Sequence, residues 1–514
     1  MKKFLILILT LTMVASLLIS CTTGNGNDDT TPADDGKNEV TTPEEGGDDD
    51  GLPEVIDMSS NGQDYVYKAY VRSKEDGDLG NGGFLCEDFW VAETSEDALS
   101  FAVYTRNNTI QETYHCRIHQ QDSTGSTYQE LKDFYANSEK YDLSILLAIE
   151  AAPAATSNLL QDIKSMGHVD LTHSSYDQNS VAQFSMGGKL YYLSGDMNIS
   201  TMDNTAPTVV NIEMYNSHKE SFVEAFGDEI YSNIYDLVTE HEWTMDTLLT
   251  MAEIVNVDQN KSDGALSVTK QDTLGYFQYS ASPLYYFYGA GGRITQIDED
   301  GYPELVIGES INQEIYDYVY RNLNTVSTSW IPNGNSGPRG DNFYGGVCLF
   351  TDMTLWDIRK ILYTKDAFEY GIIPNPLYEA GDDYHGVVYF QGCAHLWSVP
   401  NMCTNQEYAE RMLQILTVYS GMKDSTMDAY YTKTMYMTVA QDKGSRAAMD
   451  IIRTSLVYDI ALLYDWGGFQ DLLLNADTAT SNQYQTYYNK LDVAEEAMQL
   501  TLEQFKNPTY VPDN

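Results

Sequence analysis

Residues 141–149 read Tyr-Asp-Leu-Ser-Ile-Leu-Leu-Ala-Ile, a short and nearly continuous apolar run closed by Glu150. A strand with one wet face alternates, whereas a strand covered by helices on both faces does not; this run is therefore expected to be a strand buried on both sides. Upstream, residues 128–137 read as a helix and 114–119 as a strand. Residues 95–112 read as a helix with apolar positions at Leu99, Val103 and Ile110, and 65–71 as a first strand. Strand and helix alternate, which makes an α/β lobe with a largely parallel sheet the natural expectation.

Downstream the rhythm breaks at Gly187-Gly188-Lys189-Leu190-Tyr191-Tyr192-Leu193, a glycine turn leading into a strand, and resumes after Thr208-Val209-Val210-Asn211. A helix-rich stretch follows over 219–238 and 244–255, the latter with Thr244 placed to cap it. A second strand-bearing region covers 343–400, and helices fill much of 405–505. No repeat of 20 to 50 residues is visible, which argues against a solenoid or propeller.

The N-terminal residues carry an expectation about the compartment. Lys2 and Lys3, an apolar run from Phe4 to Leu18, and then Ser20-Cys21 have the order of an export signal. Leu18-Ile19-Ser20-Cys21 resembles the bacterial lipobox, which implies removal of residues 1–20 and lipid on the Cys21 thiol. Residues 22–57 hold 12 Asp/Glu and one Lys with almost no large apolar side chain, so no core can form there. As a flexible coil this tether would reach about 33 Å.

Over all 514 residues, 29 Lys+Arg stand against 76 Asp+Glu, a formal charge of −47 that excludes nucleic acid as a partner. Tyrosine, at 40 residues against 16 Phe, supplies rings that pack on one side and hydrogen-bond at the tip. Beyond Cys21 the cysteines are Cys86, Cys116, Cys348, Cys393 and Cys403, an odd and scattered set that implies no disulfide framework. Cys86–Cys116 or Cys393–Cys403 bridges and buried thiols all remain open at this point.

Several phrases in order carry a family resemblance. They are Asp97-Ala98 through Asn107, Tyr141-Asp142-Leu143, Tyr176-Asp177-Gln178, Gly188 through Asp196, Trp243-Thr244-Met245-Asp246, Gly289-Ala290-Gly291-Gly292, Gly371 through Pro376, and Asp383-Tyr384. Together with the lipobox they resemble the extracellular solute-binding proteins of ABC importers, in the large two-lobed class that includes maltodextrin-binding proteins. The resemblance implies an α/β, two-lobed, periplasmic-binding-protein-like fold of type II, with discontinuous lobes joined by a multi-strand hinge. It suggests chain crossings near 197–207, 388–394 and 418–424. One lobe would then comprise 58–200 with 390–420, and the other 205–388 with 425–514.

Such a protein collects its ligand at the carboxyl ends of strands, in the crevice between lobes. Glu150, Asp196 and Asp352 follow expected strands and could accept hydrogen bonds from sugar hydroxyls. Trp330, Trp356 and Tyr286 could stack on a pyranose face. The resemblance implies that 348–356 faces the ligand, which favours Trp356. Tyr389, beside the second crossing, could be a hinge or pocket residue. Tyr176 stands where the family's usual phrase has Trp, which weakens a stacking role there.

Other motifs carry less. Asp258, Asn260, Ser262, Asp263 and Gly264 resemble a calcium loop, but the spacing is one residue off and the closing Glu is missing. His115, Cys116 and His119 would point to opposite faces of a strand. Met186-Gly187-Gly188-Lys189 lacks the spacing of a phosphate loop, and no Gly-x-Ser-x-Gly elbow occurs. No metal and no cofactor is expected. The expectation is a non-catalytic lipoprotein on the outer face of the cytoplasmic membrane that captures a small solute, most simply a carbohydrate or oligosaccharide, for an ABC permease. The alternatives are a secreted glycan-active hydrolase and a surface glycan-binding adhesin or sensor.

Overall fold

The computed structural model describes residues 51–72, 86–91, 97–258, 272–278, 281–325, 329–330, 343, 345–365, 368–390, 394–440, 442–474 and 483–506. The apolar run forms the strand Leu143–Leu147, with all five residues buried. It pairs parallel with the strand Tyr65–Val71, which in turn pairs parallel with Cys116–Asp122. On its other edge it pairs antiparallel with His395–Ser398, a strand some 250 residues later in the chain. Leu193 extends this sheet by a bridge to Trp397. The helices Ala98–Tyr114, Thr127–Ala136, Ala148–Thr156 and Gln406–Gly421 pack around it.

A second sheet has the order Tyr370–Ile373, Thr208–Asn211, Cys348–Asp352, Leu274–Phe277, Ser329–Trp330. Thr208–Asn211 runs antiparallel to both neighbours, and the last three strands run parallel to one another. Met245–Val255 packs on Leu274–Phe277 so closely that a Cβ on Gly275 would lie 2.0 Å from the Ala252 carbonyl oxygen. Lys443–Thr454 packs on Tyr370–Ile373. Trp243 is fully buried behind this sheet and donates its Nε1–H to the Pro374 carbonyl at 3.0 Å. Thr244 caps Met245–Val255 as its position predicts, accepting from the Thr247 N–H at 3.2 Å.

The chain crosses between the lobes through the short helix Ile199–Asp203 and the residues after it. Ala206 N–H donates to the Val387 carbonyl at 2.9 Å and Tyr389 N–H to the Asn204 carbonyl at 2.8 Å, so the first crossing lies antiparallel beside the return strand. The fold is therefore α/β and two-lobed, each lobe assembled from segments distant in sequence.

Local boundaries differ from the sequence expectation where a cap decides them. The expected 95–112 helix starts at Ala98, because the Asp97 side chain accepts from Ser100 N–H at 2.8 Å, and continues to Tyr114. His115 then adopts a left-handed conformation, φ 51°, which delays the second strand to Cys116. The expected helix over 219–238 begins at Ile212 under an Asn211 cap and is broken at Gly227, φ 75°. Cys86, Cys116 and Cys348 are buried free thiols and Cys403 is a half-buried one, so no Cys86–Cys116 bridge exists. Cys393, the signal, residues 22–50 of the tether, and residues 259–271 of the calcium-like loop lie outside the described residues. Residues 51–57, expected to belong to the tether, instead lie on the body: the Tyr114 hydroxyl donates to the Pro53 carbonyl at 3.2 Å and Ile56 packs against the core.

Candidate functional site

The first crossing is the spine of the crevice, with a polar cavity on one side and a buried carboxylate on the other. The cavity, about 120 Å³, is lined by Ser175, Asp177, Ser194, Asp196, Arg453 and Tyr458 among others. Asp196 is presented by a tight turn in which its N–H donates to the Ser175 carbonyl at 2.8 Å. A Cβ on Gly195 would lie 2.4 Å from that same carbonyl oxygen, so only glycine permits the approach. Gly421, at the end of the Gln406–Gly421 helix, lets the chain pass against the Asp196 and Ser175 side chains in the same way.

Across the cavity Arg453, from the helix that packs on the second sheet, places Nη2 3.2 Å from Asp196 Oδ1. Its guanidinium lies 4.5 Å over the Tyr431 ring, whose hydroxyl donates to Asp450 at 2.9 Å. Tyr458 donates its hydroxyl to Asp177 at 2.9 Å. Burial pushes the Asp196 carboxyl up to about 6, against the opposing pull of Arg453. Asp177 is raised for the same reason.

On the other side, Asp352 ends its strand beside the crossing, since Met353 N–H donates to the Pro207 carbonyl at 3.3 Å and Leu355 N–H to that of Thr205 at 2.9 Å. Asp352 is 5% exposed and accepts from the Tyr276 hydroxyl at 2.6 Å. The Ser282 and Tyr286 hydroxyls lie beside the same carboxylate and favour its charged form, yet among the described residues neither its second oxygen nor the Tyr286 hydroxyl has a partner at full hydrogen-bond geometry. Burial raises the Asp352 carboxyl to about 6. Phe277, Tyr285, Met353, Thr354 and Asp357 line the small pocket in front of it. Gln278 follows the strand Leu274–Phe277; it is fully buried, yet among the described residues both ends of its amide lack a partner. Buried polar groups left open in this way are costly unless something completes them, which marks this corner as a place built to receive polar atoms.

The expected site residues divide. Asp196 and Asp352 flank the crossing. Tyr389 is half-buried beside it, its ring edge-on to Tyr285 at 5.9 Å, and Trp356 is half-buried in the turn Leu355–Asp357. Tyr286, expected to stack on a sugar, is 1% exposed and sits edge-on to Tyr276 at 5.7 Å, so its ring offers no open face. Its helix, Ser282–Gly289, is buried along its whole length, because it runs through the second lobe rather than over it. Glu150 caps the helix Thr127–Ala136: its carboxylate accepts the N–H groups of Thr127 at 2.6 Å and Tyr128 at 3.3 Å, and the Thr127 hydroxyl. Trp330 lies in an edge strand paired with Phe277, and its side chain is outside the described residues. Arg453, Tyr458 and Gln278 were not anticipated; only Gln278, directly after an expected strand end, carried a positional signal.

Among the described residues no cluster of three or more His, Cys, Asp and Glu is placed to hold a metal ion, and no helix is long and apolar enough to cross a membrane. No family model matches the chain, and no curated protein does. Solved structures do. An ABC substrate-binding protein of Listeria monocytogenes in complex with cycloalternan shares 13% identity at a TM-score of 0.51, over 85% of this chain and 100% of that one. A cyclo/maltodextrin-binding protein complexed with maltotetraose shares 12% at 0.55, over 86% and 99%. The galacto-N-biose/lacto-N-biose I-binding protein of Bifidobacterium longum, in complex with lacto-N-biose, shares 13% at 0.52, over 86% and 99%. These likenesses establish the fold as that of the two-lobed solute-binding proteins.

Proposed function

We propose that this protein captures a neutral carbohydrate, most simply an oligosaccharide, in the crevice between its lobes and delivers it to an ABC import permease, and that lipid on Cys21 holds it at the outer face of the cytoplasmic membrane. The carrying observation is the crevice itself: a polar cavity bounded by both lobes, in which a carboxylate and a guanidinium already neutralise each other. Such a cavity favours a solute with many hydroxyls and no net charge, since an anion would meet Asp177 and Asp196 and a cation would meet Arg453. The saccharides held by the structural neighbours support the same class. The proposed contacts are Asp196 and Arg453 on one side of the crossing, and Asp352, Gln278, Tyr389 and Trp356 on the other. Solute would be retained by rotation of the lobes about the paired crossings.

A thermal-shift screen of the protein against mono- and oligosaccharides, with peptides and polyamines as controls, tests this, because a solute that binds only the folded state raises its melting temperature. A saccharide-specific shift with the sugar recovered unchanged supports the reading. Released reducing ends would convert it to the hydrolase reading, and shifts with peptides or polyamines alone would retire the carbohydrate.

A further inference from the structure

Besides Asp196–Arg453, a second set of charges joins the lobes, outside the cavity. Glu87 lies in the segment 86–91, which is fastened to the first lobe. The Phe89 carbonyl accepts from Arg106 at 2.9 Å and Asn107 at 2.8 Å, and the Phe89 ring sits edge-on to Trp397 at 5.7 Å. The Glu87 carboxylate spans two cations of the second lobe, both on the π-helical turn Ile358–Leu362 that follows the strand of Asp352. One oxygen is 3.2 Å from Arg359 Nη2 and the other 3.0 Å from Lys360 Nζ.

Arg359 does not depend on Glu87 for its place. Asp203, in the crossing helix, binds it through both oxygens and also accepts from the Tyr430 hydroxyl at 2.8 Å, while the guanidinium lies 5.5 Å from the centre of the Tyr430 ring. The cluster thus holds two carboxylates and two cations. Asp88, next to Glu87, accepts from the Ile199 N–H at 2.8 Å, so the segment is also held at the start of the crossing helix. A rotation of the lobes about that helix would draw Glu87 from the two cations while Asp203 keeps Arg359. Arg359 is 7% exposed at its side chain, Glu87 23% and Lys360 38%, so the contact is sheltered enough to matter and open enough for salt to reach it.

We propose that Glu87, through Arg359 and Lys360, is an ionic latch that holds the lobes together before solute arrives, so that the closed fraction falls as ionic strength rises. Affinity for solute follows that fraction. The latch depends on the fold and not on which solute is carried.

Hydrogen–deuterium exchange of the solute-free full-length chain tests it, at salt concentrations whose screening lengths are about 30 Å and about 3 Å. Glu87→Gln should raise exchange about fivefold in 199–206, 353–362 and 386–390 at low salt, the size expected for one partly sheltered charge-assisted contact. The strands Tyr65–Val71 and Tyr370–Ile373 should be unchanged. Wild type should approach the variant at high salt, and Lys360→Gln, at the more exposed partner, should show a smaller effect of the same sign. Equal exchange of wild type and Glu87→Gln at low salt would overturn the proposal. So would faster exchange in both reference strands in both variants, because that would assign the cluster to folding instead of closure.

Discussion

Asp352→Asn separates the stability of the crevice from its use. No Lys, Arg or His lies within ion-pair distance of this carboxylate among the described residues; the Tyr276 hydroxyl donates to it, and the neighbouring Ser282 and Tyr286 hydroxyls also favour its charged form. Burial lifts it from an ordinary 3.8 to about 6. A displacement of that size corresponds to about 3 kcal/mol spent in keeping the group ionised at pH 7.5, an upper figure because local relaxation recovers part of it. The sign follows from the raised folded-state value: the cost is fully present above pH 6 and absent below about pH 4, so the wild-type protein gains stability from this group as pH falls through that window. Asparagine keeps an acceptor for Tyr276 and carries no charge. The variant should therefore melt higher than wild type at pH 7.5, by roughly 5 °C for about 1–2 kcal/mol in a lobe of this size, and at the same temperature as wild type at pH 4. Its affinity for solute should fall about tenfold, the loss of one charge-assisted hydrogen bond. Differential scanning calorimetry at the two pH values, with titration calorimetry on the solute found by screening, measures both. An equal melting difference at pH 4 and 7.5, or a less stable variant at pH 7.5, would refute the reasoning, since either would mean that the carboxylate is not held against its charge.

Gln278→Leu removes a buried amide that has no partner among the described residues, and should leave the solute-free protein as stable or about 1 kcal/mol more stable while weakening solute binding; a loss of stability in thermal melts would show that the amide is satisfied. Arg453→Gln strips the cation from Asp196, and should cost about 1 kcal/mol at pH 7.5 but much less at pH 5, where Asp196, titrating at about 6, is already protonated; a pH-independent loss in denaturant melts contradicts this. Glu150→Gln should lower stability by about 1 kcal/mol through the Thr127–Ala136 helix terminus and leave solute affinity unchanged, a split read by melting and titration on the same variant. Burial holds the Cys86, Cys116 and Cys348 thiols above their usual range, so mass spectrometry after native alkylation should find all three unmodified and labelled only on unfolding.

Much of the architecture was legible locally. The unbroken apolar run at 143–147 required cover on both faces, the alternation around it required a parallel sheet, and Thr244 marked a helix start that the structure keeps. Boundaries were less legible, because a side-chain cap such as Asp97, or a left-handed residue such as His115, decides them within one or two positions. The site was legible only as a set of strand ends. Position after a strand singled out Glu150, Asp196 and Asp352 alike, yet the structure gives Glu150 to a neighbouring helix and sets the other two beside the crossing.

The sequence by itself determined that the body is α/β and where several of its strands and helices lie, because these follow from the spacing of apolar side chains along a few turns or a few pleats; the strand expected after Gly187-Gly188 forms only an isolated bridge from Leu193 to Trp397. Only the tertiary structure decided which charges meet. Asp196 and Arg453 stand 257 positions apart, Glu87 and Arg359 272, and no local period relates them. Tyr286 became core and Gln278 an open buried amide by the same cause: the partners of a side chain are set by how two sheets and their crossings pack, and that packing is fixed by contacts the local pattern does not contain.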